Sequence, residues 1–352
     1  MSYQDGWDAL NLRMPPRVPH YEPSLYQHWG VLKRLTGIEV RPDSDEEAKL
    51  KGSRELVKIF NYDYIFSVLI GGGVFGDKRT DMGHAVYQAG GTDFRQAGKA
   101  LYDDPEKALK FDPWELYGTV DEKKAVADFN AHWESRKAAF PDVLNMTGIY
   151  VTCMSGLIEI FGWDMLLEAA GTDPEGFGEV ANRYTDWMLQ YAKALAKCDS
   201  PAVMIHDDTV WTSGAFIHPD WYRRYVFPNY LKLFAPLKEA GKLIMYTCDG
   251  NYTEFIDDVV ATGVNSLMME PATDMAYVAE KYGKAVSFAG NADTRVLLLG
   301  TKEDIRAEVK RCMDTGKKYP GYFISVSNHV PPNTPVDSVL YYKDAFEEMG
   351  RR

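Results

Sequence analysis

The feature that most constrains the fold is a unit that recurs from about residue 144 onward. Each unit has a short apolar run, then a polar or small-residue patch, then about ten to twenty residues with apolar positions at helical spacing. The apolar runs cover residues 146–154, 202–205, 242–246, 266–269, 284–289 and 322–326. They are nearly continuous in apolar residues, as expected for parallel strands that are covered on both faces. The repeat therefore predicts an α/β fold with a parallel sheet.

The segments between the runs carry the start and stop signals of helices. His218-Pro219-Asp220 places proline in a first helical turn, Glu239-Ala240-Gly241 supplies a terminating glycine, and Thr301-Lys302-Glu303-Asp304 has the pattern of a capping box. Two earlier units, one of them with a predicted strand over 61–70, bring the total to about eight. This number favours a closed (β/α)8 TIM-type barrel over an open doubly wound sheet, which has the same local pattern.

The first third of the chain is less regular. Helices are predicted over 21–35 and 44–60, so we expect an N-terminal helical extension over 1–60 and a barrel over 61–352, together forming one domain. Residues 74–115 are rich in Gly, Asp and Thr and form a long excursion that could cover one end of the barrel.

Charge and composition exclude several classes of partner. The 51 acidic residues outnumber the 39 basic ones and give a net charge of −12, which argues against binding to nucleic acid or to an anionic membrane. No apolar run approaches the roughly 18 to 20 residues of a membrane helix, and residues 1–17 lack the pattern of a signal peptide. The four cysteines show no Cys-x-x-Cys spacing. We therefore expect a cytoplasmic protein with reduced thiols.

Polar residues follow the predicted strands, and in a barrel the carboxyl ends of the strands meet at one mouth. These residues are Thr152-Cys153, His206-Asp207-Asp208, Tyr246-Thr247-Cys248-Asp249-Gly250-Asn251, Glu270-Pro271, Gly290-Asn291-Ala292-Asp293 and Ser327-Asn328-His329. Acids, a thiol and histidines at one mouth could bind a divalent metal or exchange protons. Phosphate-loop, dinucleotide and nucleophile-elbow motifs are absent from the sequence, which argues against nucleotide and serine-hydrolase chemistry.

Each of these residues also has a structural interpretation. A single Cys248 or His329 at a strand end is more often structural than a ligand. Asp207 and Asp208 could cap the next helix or pair with Arg223 or Arg224, although this suits one aspartate better than both. Gly290-Asn291 could form a tight turn.

The order of these motifs resembles that of the uroporphyrinogen decarboxylase superfamily. The resemblance covers about residues 140–350 and rests on the set as a whole rather than on one piece. The matching segments are His206-Asp207-Asp208, His218-Pro219-Asp220-Trp221-Tyr222, Pro228-Asn229-Tyr230, Tyr246 to Asn251, Gly290-Asn291-Ala292-Asp293, Gly300 to Ile305, Gly321 to Ser325 and Pro332-Asn333-Thr334-Pro335. It implies a one-domain barrel with its site at the strand carboxyl ends.

Members of this superfamily catalyse two main kinds of reaction, so the resemblance implies one of the two. One is cofactor-free decarboxylation of the acetate side chains of a tetrapyrrole, and the other is methyl transfer to or from a corrinoid protein, usually with zinc. The decarboxylases carry Met-Arg-Gln-Ala-Gly-Arg near their N-terminus, where the arginines bind substrate carboxylates. Here the similar Arg95-Gln96-Ala97-Gly98-Lys99 follows the first predicted strand and ends in lysine. With the acidic net charge, this favours the methyltransferase branch.

Within that branch, Asn61-Tyr62-Asp63-Tyr64 and Thr80 to Tyr87 resemble the methyltransferase components of anaerobic O-demethylases, which cleave aryl methyl ethers. The methyltransferases bind zinc through a His-x-Cys strand end and a later Cys. Here Tyr246 and Asn328 replace two of those ligands and only Cys248 remains. We therefore expect Cys248, Glu270 and His329 as an alternative zinc set, with a metal-free site as the competing hypothesis.

The resemblance leads to assigned roles. We expect catalytic roles for His206, Asp208, Tyr246 and Asn291, and substrate binding by Trp211, Phe216 and Asn328, although the aromatic residues could equally be packing. The chain lacks an Asp-x-His-x-x-Gly motif for corrinoid attachment, so the cobalamin-type cofactor would be carried by a partner protein. The predicted function is O-demethylation of a small methylated substrate. A tetrapyrrole decarboxylase and a non-catalytic barrel that binds a corrinoid or tetrapyrrole remain the alternatives.

Overall fold

The structure is a computed structural model that describes residues 1–41, 43–80, 100–326 and 328–352. Its strands, β1 to β10 in chain order, are Tyr64–Ile65, Leu144–Asn145, Thr147–Ile149, Ala202–His206, Val210–Trp211, Gly214–Ala215, Leu243–Cys248, Ser266–Met269, Ser287–Ala289 and Tyr322–Phe323. Its α-helices, α1 to α15, are Tyr3–Leu10, Trp29–Thr36, Glu46–Ile59, Pro105–Ala108, Pro113–Tyr117, Glu122–Ala139, Met154–Thr172, Pro174–Lys197, Pro219–Tyr225, Phe227–Glu239, Ile256–Ala261, Met275–Tyr282, Thr294–Leu299, Lys302–Gly316 and Val336–Met349.

A parallel sheet forms the centre of the molecule. Its strands lie in the order β10-β9-β8-β7-β4-β3, and all of their pairings are parallel. A second parallel pair joins β1 to β2, and Ile70 bridges to Ile149, which links this pair to the end of the main sheet. The strands are short and almost fully buried, as expected for a sheet with helices on its outer face.

His20 closes the sheet into a ring. It forms a parallel bridge to Tyr62, just before β1, and another to Ile324, just after β10. Backbone hydrogen bonds support both sides: the Asp63 N–H donates to the His20 carbonyl (2.9 Å), and the Ile324 N–H donates to the Pro19 carbonyl (3.0 Å). Eight members make up the ring of a (β/α)8 barrel. They are the segment at His20, then β1, then β2 and β3 together as one member, then β4, β7, β8, β9 and β10. The predicted barrel is confirmed.

The N-terminal segment contributes both to this ring and to the surrounding helices. Pro19 and Pro23 favour extended backbone for the residues before them, so the helix predicted over 21–35 begins only at Trp29. Helix α3 agrees with the prediction over 44–60 to within two residues at either end. The division of the chain at residue 60 stays a prediction, since His20 shows that the segment before it also supplies part of the ring.

The helix starts predicted at two positions are confirmed, since α9 begins at Pro219 and α14 follows Thr301. The Asp304 N–H donates to Thr301 Oγ1 (3.2 Å) and the Thr301 N–H donates to Asp304 Oδ2 (2.8 Å), which completes a capping box at α14. The ring of His218 accepts from the Asp220 N–H at 3.3 Å at the start of α9. These caps satisfy backbone groups that a helix end would otherwise leave unpaired.

Contacts across the barrel identify which side chains face its interior. Tyr64 Oη lies 3.8 Å from Met268 Sδ, and these residues belong to strands on different sides of the ring. The register pairs Met268 with Thr247 and Thr247 with His206, so these side chains share the interior face. Since side chains alternate along a strand, Tyr246 and Cys248 face the helices, and Asp249 returns to the interior side.

Part of the predicted excursion over 74–115 lies in α4 and α5. Residues 81–99 lie outside the described residues, and with them Arg95-Gln96-Ala97-Gly98-Lys99 and most of the stretch from Thr80 to Tyr87. Within the described ranges, no helix combines the length and the apolar character needed to cross a membrane.

Candidate active site at the barrel mouth

His206 ends strand β4 and faces the interior of the barrel mouth. Its side chain is only 2% exposed, and its ring stacks on Tyr150 with centroids 3.6 Å apart and planes 26° apart. Burial lowers the pKa of His206 to about 3, and a hydrogen bond to the Tyr150 backbone offsets this only in part. The imidazole is therefore neutral near neutral pH and has a lone pair available for a metal.

The two aspartates after His206 have different surroundings. Asp207 is fully buried and accepts backbone hydrogen bonds from Cys153, Met154 and Ser155 (2.7–3.2 Å) at the start of α7. Tyr230 Oη donates to the same carboxylate at 2.6 Å. A capping role is therefore observed for Asp207, but at the N-terminus of the earlier helix α7 and not at the next helix along the chain, as the sequence had suggested.

Asp208 is left to face the mouth. Its backbone N–H donates to Ser155 Oγ at 2.6 Å, and its Oδ1 lies 3.3 Å from His206 Nε2. The predicted arginine pairing is not formed, because Arg223 binds Asp258 and Arg224 binds Glu175.

Asp249 joins His206 and Asp208 in one cluster. One ligand atom from each of these residues lies within 4.8 Å of the others, and no other such group of His, Cys, Asp or Glu occurs in the described part of the chain. Burial raises the pKa of Asp208 to about 6. Burial and the charges of Asp208 and Glu270 raise the pKa of Asp249 well above its usual range. Two carboxylates crowded beside a neutral imidazole make this a site that would attract a cation or a proton.

Sequence reasoning assigned no role to Asp249, although it stands in the strand-end motif. The two-residue alternation of β7 was the available signal. Once Thr247 is placed on the interior face, Asp249 follows on that face and the neighbouring Cys248 does not.

Tyr246 and Cys248 lie on the outer side of β7. Tyr246 is fully buried, and its Oη is 3.3 Å from Tyr230 Oη on α10. Cys248 Sγ lies 3.2 Å from Thr209 Oγ1. Burial raises the pKa of the Cys248 thiol, and the charge of Asp208 raises it further. The structure does not bring either residue into the cluster, so their catalytic and ligand roles stay predictions that this geometry does not favour.

Glu270 connects three strand ends instead of joining the cluster. Its Oε2 accepts from the Gly250 N–H at 2.6 Å, and its Oε1 accepts from Asn328 Nδ2. Asn328 Oδ1 in turn accepts from the N–H of the exposed His329 at 2.6 Å. The structure thus brings Glu270 and Asn328 together beside the cluster, while the metal-ligand role predicted for Glu270 and His329 stays a prediction.

The side chain of Asn291 is occupied by protein contacts. Its Nδ2 donates to the carbonyls of Thr273 (3.1 Å) and Glu270 (3.3 Å), and its Oδ1 accepts from Arg311 at 3.0 Å. Asn291 is also only 1% exposed. These contacts hold the ends of β8 and β9 together, and its predicted catalytic role stays a prediction.

An aromatic cluster borders the mouth. Trp211 and Phe216 lie in and just after the hairpin of β5 and β6, and with Trp163 they form three ring pairs with centroids 5.0–5.6 Å apart. The hairpin lies against the Asp249 loop, because the Asn251 N–H donates to the Trp211 carbonyl at 3.0 Å. Gly250 has a φ of +84°, and a Cβ there would lie 2.7 Å from the Trp211 backbone. Trp211 is 43% exposed, so its ring is available to a ligand.

The donor chemistry of the cluster fits the divalent metal that the resemblance implies. One imidazole nitrogen and two carboxylate oxygens are ligands that Zn²⁺ accepts, and three protein ligands are the usual number at catalytic zinc sites. This ligand set contains no thiolate, because no cysteine belongs to the cluster.

Comparison with known proteins now places the chain in a family. The family model described as uroporphyrinogen decarboxylase (URO-D) matches residues 148–349, more than half of the chain. The chain belongs to the uroporphyrinogen decarboxylase family. Uroporphyrinogen decarboxylases from Syntrophotalea carbinolica and Carboxydothermus hydrogenoformans are 24% and 28% identical to it over 176 and 179 residues, each 50% of this chain. The chain covers 50% and 49% of these relatives, about half the length of the curated proteins it matches.

The fold of this uroporphyrinogen decarboxylase family member is shared over nearly its whole length with a solved structure. A methyltransferase from Methanosarcina mazei superposes on 97% of this chain and 96% of its own with a TM-score of 0.64. The two sequences are 16% identical, so the likeness shows a common fold.

Proposed function

We propose that this chain removes the methyl group of a small methylated substrate, an aryl methyl ether, and passes it to the corrinoid of a partner protein. The observation that supports this most directly is the position of the His206–Asp208–Asp249 cluster beside the aromatic hairpin at one barrel mouth. The hairpin offers rings for an aromatic substrate, and the cluster offers groups that can handle charge on its oxygen.

The chemistry explains why both features are needed. Displacement at the methyl carbon breaks the O–CH3 bond, transfers the methyl group to the corrinoid, and leaves both bonding electrons on a phenolate oxygen. A divalent cation held by His206, Asp208 and Asp249 would supply a Lewis acid for that oxygen. The neutral His206 ring is suited to ligation without first losing a proton.

The remaining residues orient the substrate. Trp211 and Phe216 present ring surfaces on a hairpin that is hydrogen-bonded to the Asp249 loop. A substrate ring packed there would have its ether oxygen held close to the cluster, which lowers the entropic cost of reaching a reactive arrangement. Trp163, which the sequence did not single out, supports both rings from α7.

A test of the proposal compares two tryptophans of similar exposure. Trp211→Ala should weaken binding of a methoxyphenol about tenfold, since one ring contact worth about 1.4 kcal/mol is lost. Trp114→Ala should leave binding unchanged, because Trp114 is 39% exposed on α5 and outside the cluster of rings at the mouth. Binding is measured by calorimetry, and turnover by release of the phenol with free cob(I)alamin as methyl acceptor. Equal effects of the two variants, or no phenol release by the unaltered protein, would contradict the proposal.

Decarboxylation of a tetrapyrrole is the second candidate, because the curated relatives at 24% and 28% identity are uroporphyrinogen decarboxylases. That reaction requires no metal and no protein partner. Loss of CO2 from a uroporphyrinogen by the purified chain, with no response to methoxyphenols, would replace the proposed function. Tetrapyrrole binding without turnover would instead favour a non-catalytic binding barrel.

A further inference from the structure

We infer that the barrel mouth holds a divalent metal through nitrogen and oxygen donors alone, with His206 Nε2 and one carboxylate oxygen each from Asp208 and Asp249 as the protein ligands. This inference rests on the proposed function for the role of the metal. Metal binding itself is measured without methyl transfer, so the two proposals can fail separately.

The first argument is the arrangement of the three donors. Their ligand atoms lie within 4.8 Å of one another, so a bound ion would have to draw them only slightly closer to reach ordinary coordination distances of about 2.0–2.2 Å. The imidazole is almost fully buried, and its Nε2 is the atom that faces Asp208, at 3.3 Å. A buried ring with this nitrogen directed at a carboxylate oxygen is more specific than a group of surface acids.

The second argument is charge. Asp208 Oδ1 is shielded from solvent and receives no hydrogen bond from the part of the chain that the structure describes. No lysine or arginine among those residues pairs with Asp208 or Asp249. Two partly buried carboxylates side by side without a lysine or arginine partner repel each other, and a bound dication would neutralise both.

The third argument excludes the thiols. Cys153 Sγ accepts from Thr185 Oγ1 at 3.7 Å beneath the start of α7, and Cys248 Sγ contacts Thr209 on the outer side of β7. Cys312 lies on α14, where Arg311 is 3.3 Å from its sulfur, and Cys198 is buried at the end of α8. None of the four sulfurs belongs to the cluster of ligand atoms.

The fourth argument is the support behind each donor. The Asp208 backbone is tied to Ser155, the Asp249 loop is tied to Glu270 through the Gly250 N–H, and the His206 ring is stacked on Tyr150. Outer contacts of this kind orient metal ligands before the ion binds. Three protein donors also leave coordination positions open for a substrate oxygen.

The experiment uses Co²⁺ as the metal, because its absorption spectrum reports the ligand type. The full chain is stripped with a chelator and titrated with Co²⁺, while affinity is measured by equilibrium dialysis. We expect about one Co²⁺ per chain and no thiolate-to-cobalt charge-transfer band. Asp249→Asn and Asp208→Asn should each lower Co²⁺ affinity by more than about 100-fold, beyond the loss typical of outer-contact variants. Cys248→Ser should bind Co²⁺ within about twofold of the unaltered chain.

Several results would overturn the inference. These are a charge-transfer band that disappears in Cys248→Ser, undiminished Co²⁺ affinity in both aspartate variants, or no Co²⁺ binding by the unaltered chain. Thermal unfolding of the stripped proteins checks that a loss of metal is not a loss of fold, and His206→Gln provides a third ligand variant if one aspartate variant does not fold. A chain that binds Co²⁺ as expected but releases no phenol would overturn the proposed function and leave this metal site standing.

Discussion

At the scale of single residues, neighbouring side chains at the mouth have different roles because they face different surroundings. Asp207 points into a helix N-terminus, whereas Asp208 points towards His206. The sequence placed His206 and Asp208 at the site, because polar residues after a buried run are easily recognised. The sequence could not show that Asp249 is a better candidate ligand than Cys248. A thiol is a common metal ligand, and a shift of one residue in the strand alternation reverses which of the two side chains faces the interior.

Asp207→Asn tests the capping role. The amide keeps one acceptor oxygen but brings N–H groups towards backbone donors and the Tyr230 hydroxyl, so we expect the free energy of unfolding to fall by about 2–3 kcal/mol. Asp128→Asn, a half-exposed aspartate paired with Lys124 on α6, should change it by less than about 1 kcal/mol. Urea unfolding followed by circular dichroism measures both. An equally small change in the two variants would show that the cap does not stabilise α7.

At the scale of elements, the strand ends are joined by side chains as much as by the sheet. Glu270, at the end of β8, accepts from the loop after β7 and from Asn328 after β10. The strand over 266–269 was predicted with its observed bounds, whereas those over 61–70 and 322–326 are reduced to two residues each. The shortened strands pair near the ring closure at His20. Pairing between segments so far apart in the chain cannot be predicted from the local sequence pattern.

Glu270→Ala should loosen the Asp249 loop without removing a ligand. We expect Co²⁺ affinity to fall by about 10- to 100-fold, less than in Asp249→Asn, because the Gly250 N–H loses its acceptor while the three donors remain. Glu303→Ala, at the exposed start of α14, is the control and should have no effect on metal binding. A loss as large as that of Asp249→Asn would instead make Glu270 a ligand, as the sequence had suggested.

At the scale of the whole molecule, the first and last parts of the chain complete the barrel together. Glu22, which is fully buried, contacts His20 Nε2 (3.0 Å), accepts from Tyr342 Oη (2.7 Å) and accepts from the Val326 N–H (2.8 Å). One carboxylate thus ties the closing segment to the last strand and the last helix. The repeat predicted a barrel, but the segment that closes it was assigned to a helical extension. Pro19 and Pro23 were a local signal for extended backbone there, but this short stretch has no apolar run like those of the later strands.

Glu22→Ala should destabilise the entire fold. Several buried polar groups lose their partner at once, and each costs about 1–3 kcal/mol, so we expect a loss of about 3 kcal/mol or more in the free energy of unfolding. Glu348→Ala removes an exposed partner of Arg306 and should cost less than about 1 kcal/mol. Urea unfolding monitored by circular dichroism compares them. A Glu22 variant as stable as the Glu348 variant would show that this network does not hold the ring closed.

The closure at His20 also affects the order in which the molecule can be assembled. During synthesis, the segment at His20 can pair with Tyr62 early. Its other neighbour, Ile324, is made only after all the other strands of the ring, from β1 to β10. Until then the nascent protein is an open sheet with two unpaired edges, a form that invites pairing with other chains. The seam between His20 and Ile324 is therefore the place where premature release from the ribosome would leave the protein most prone to aggregate.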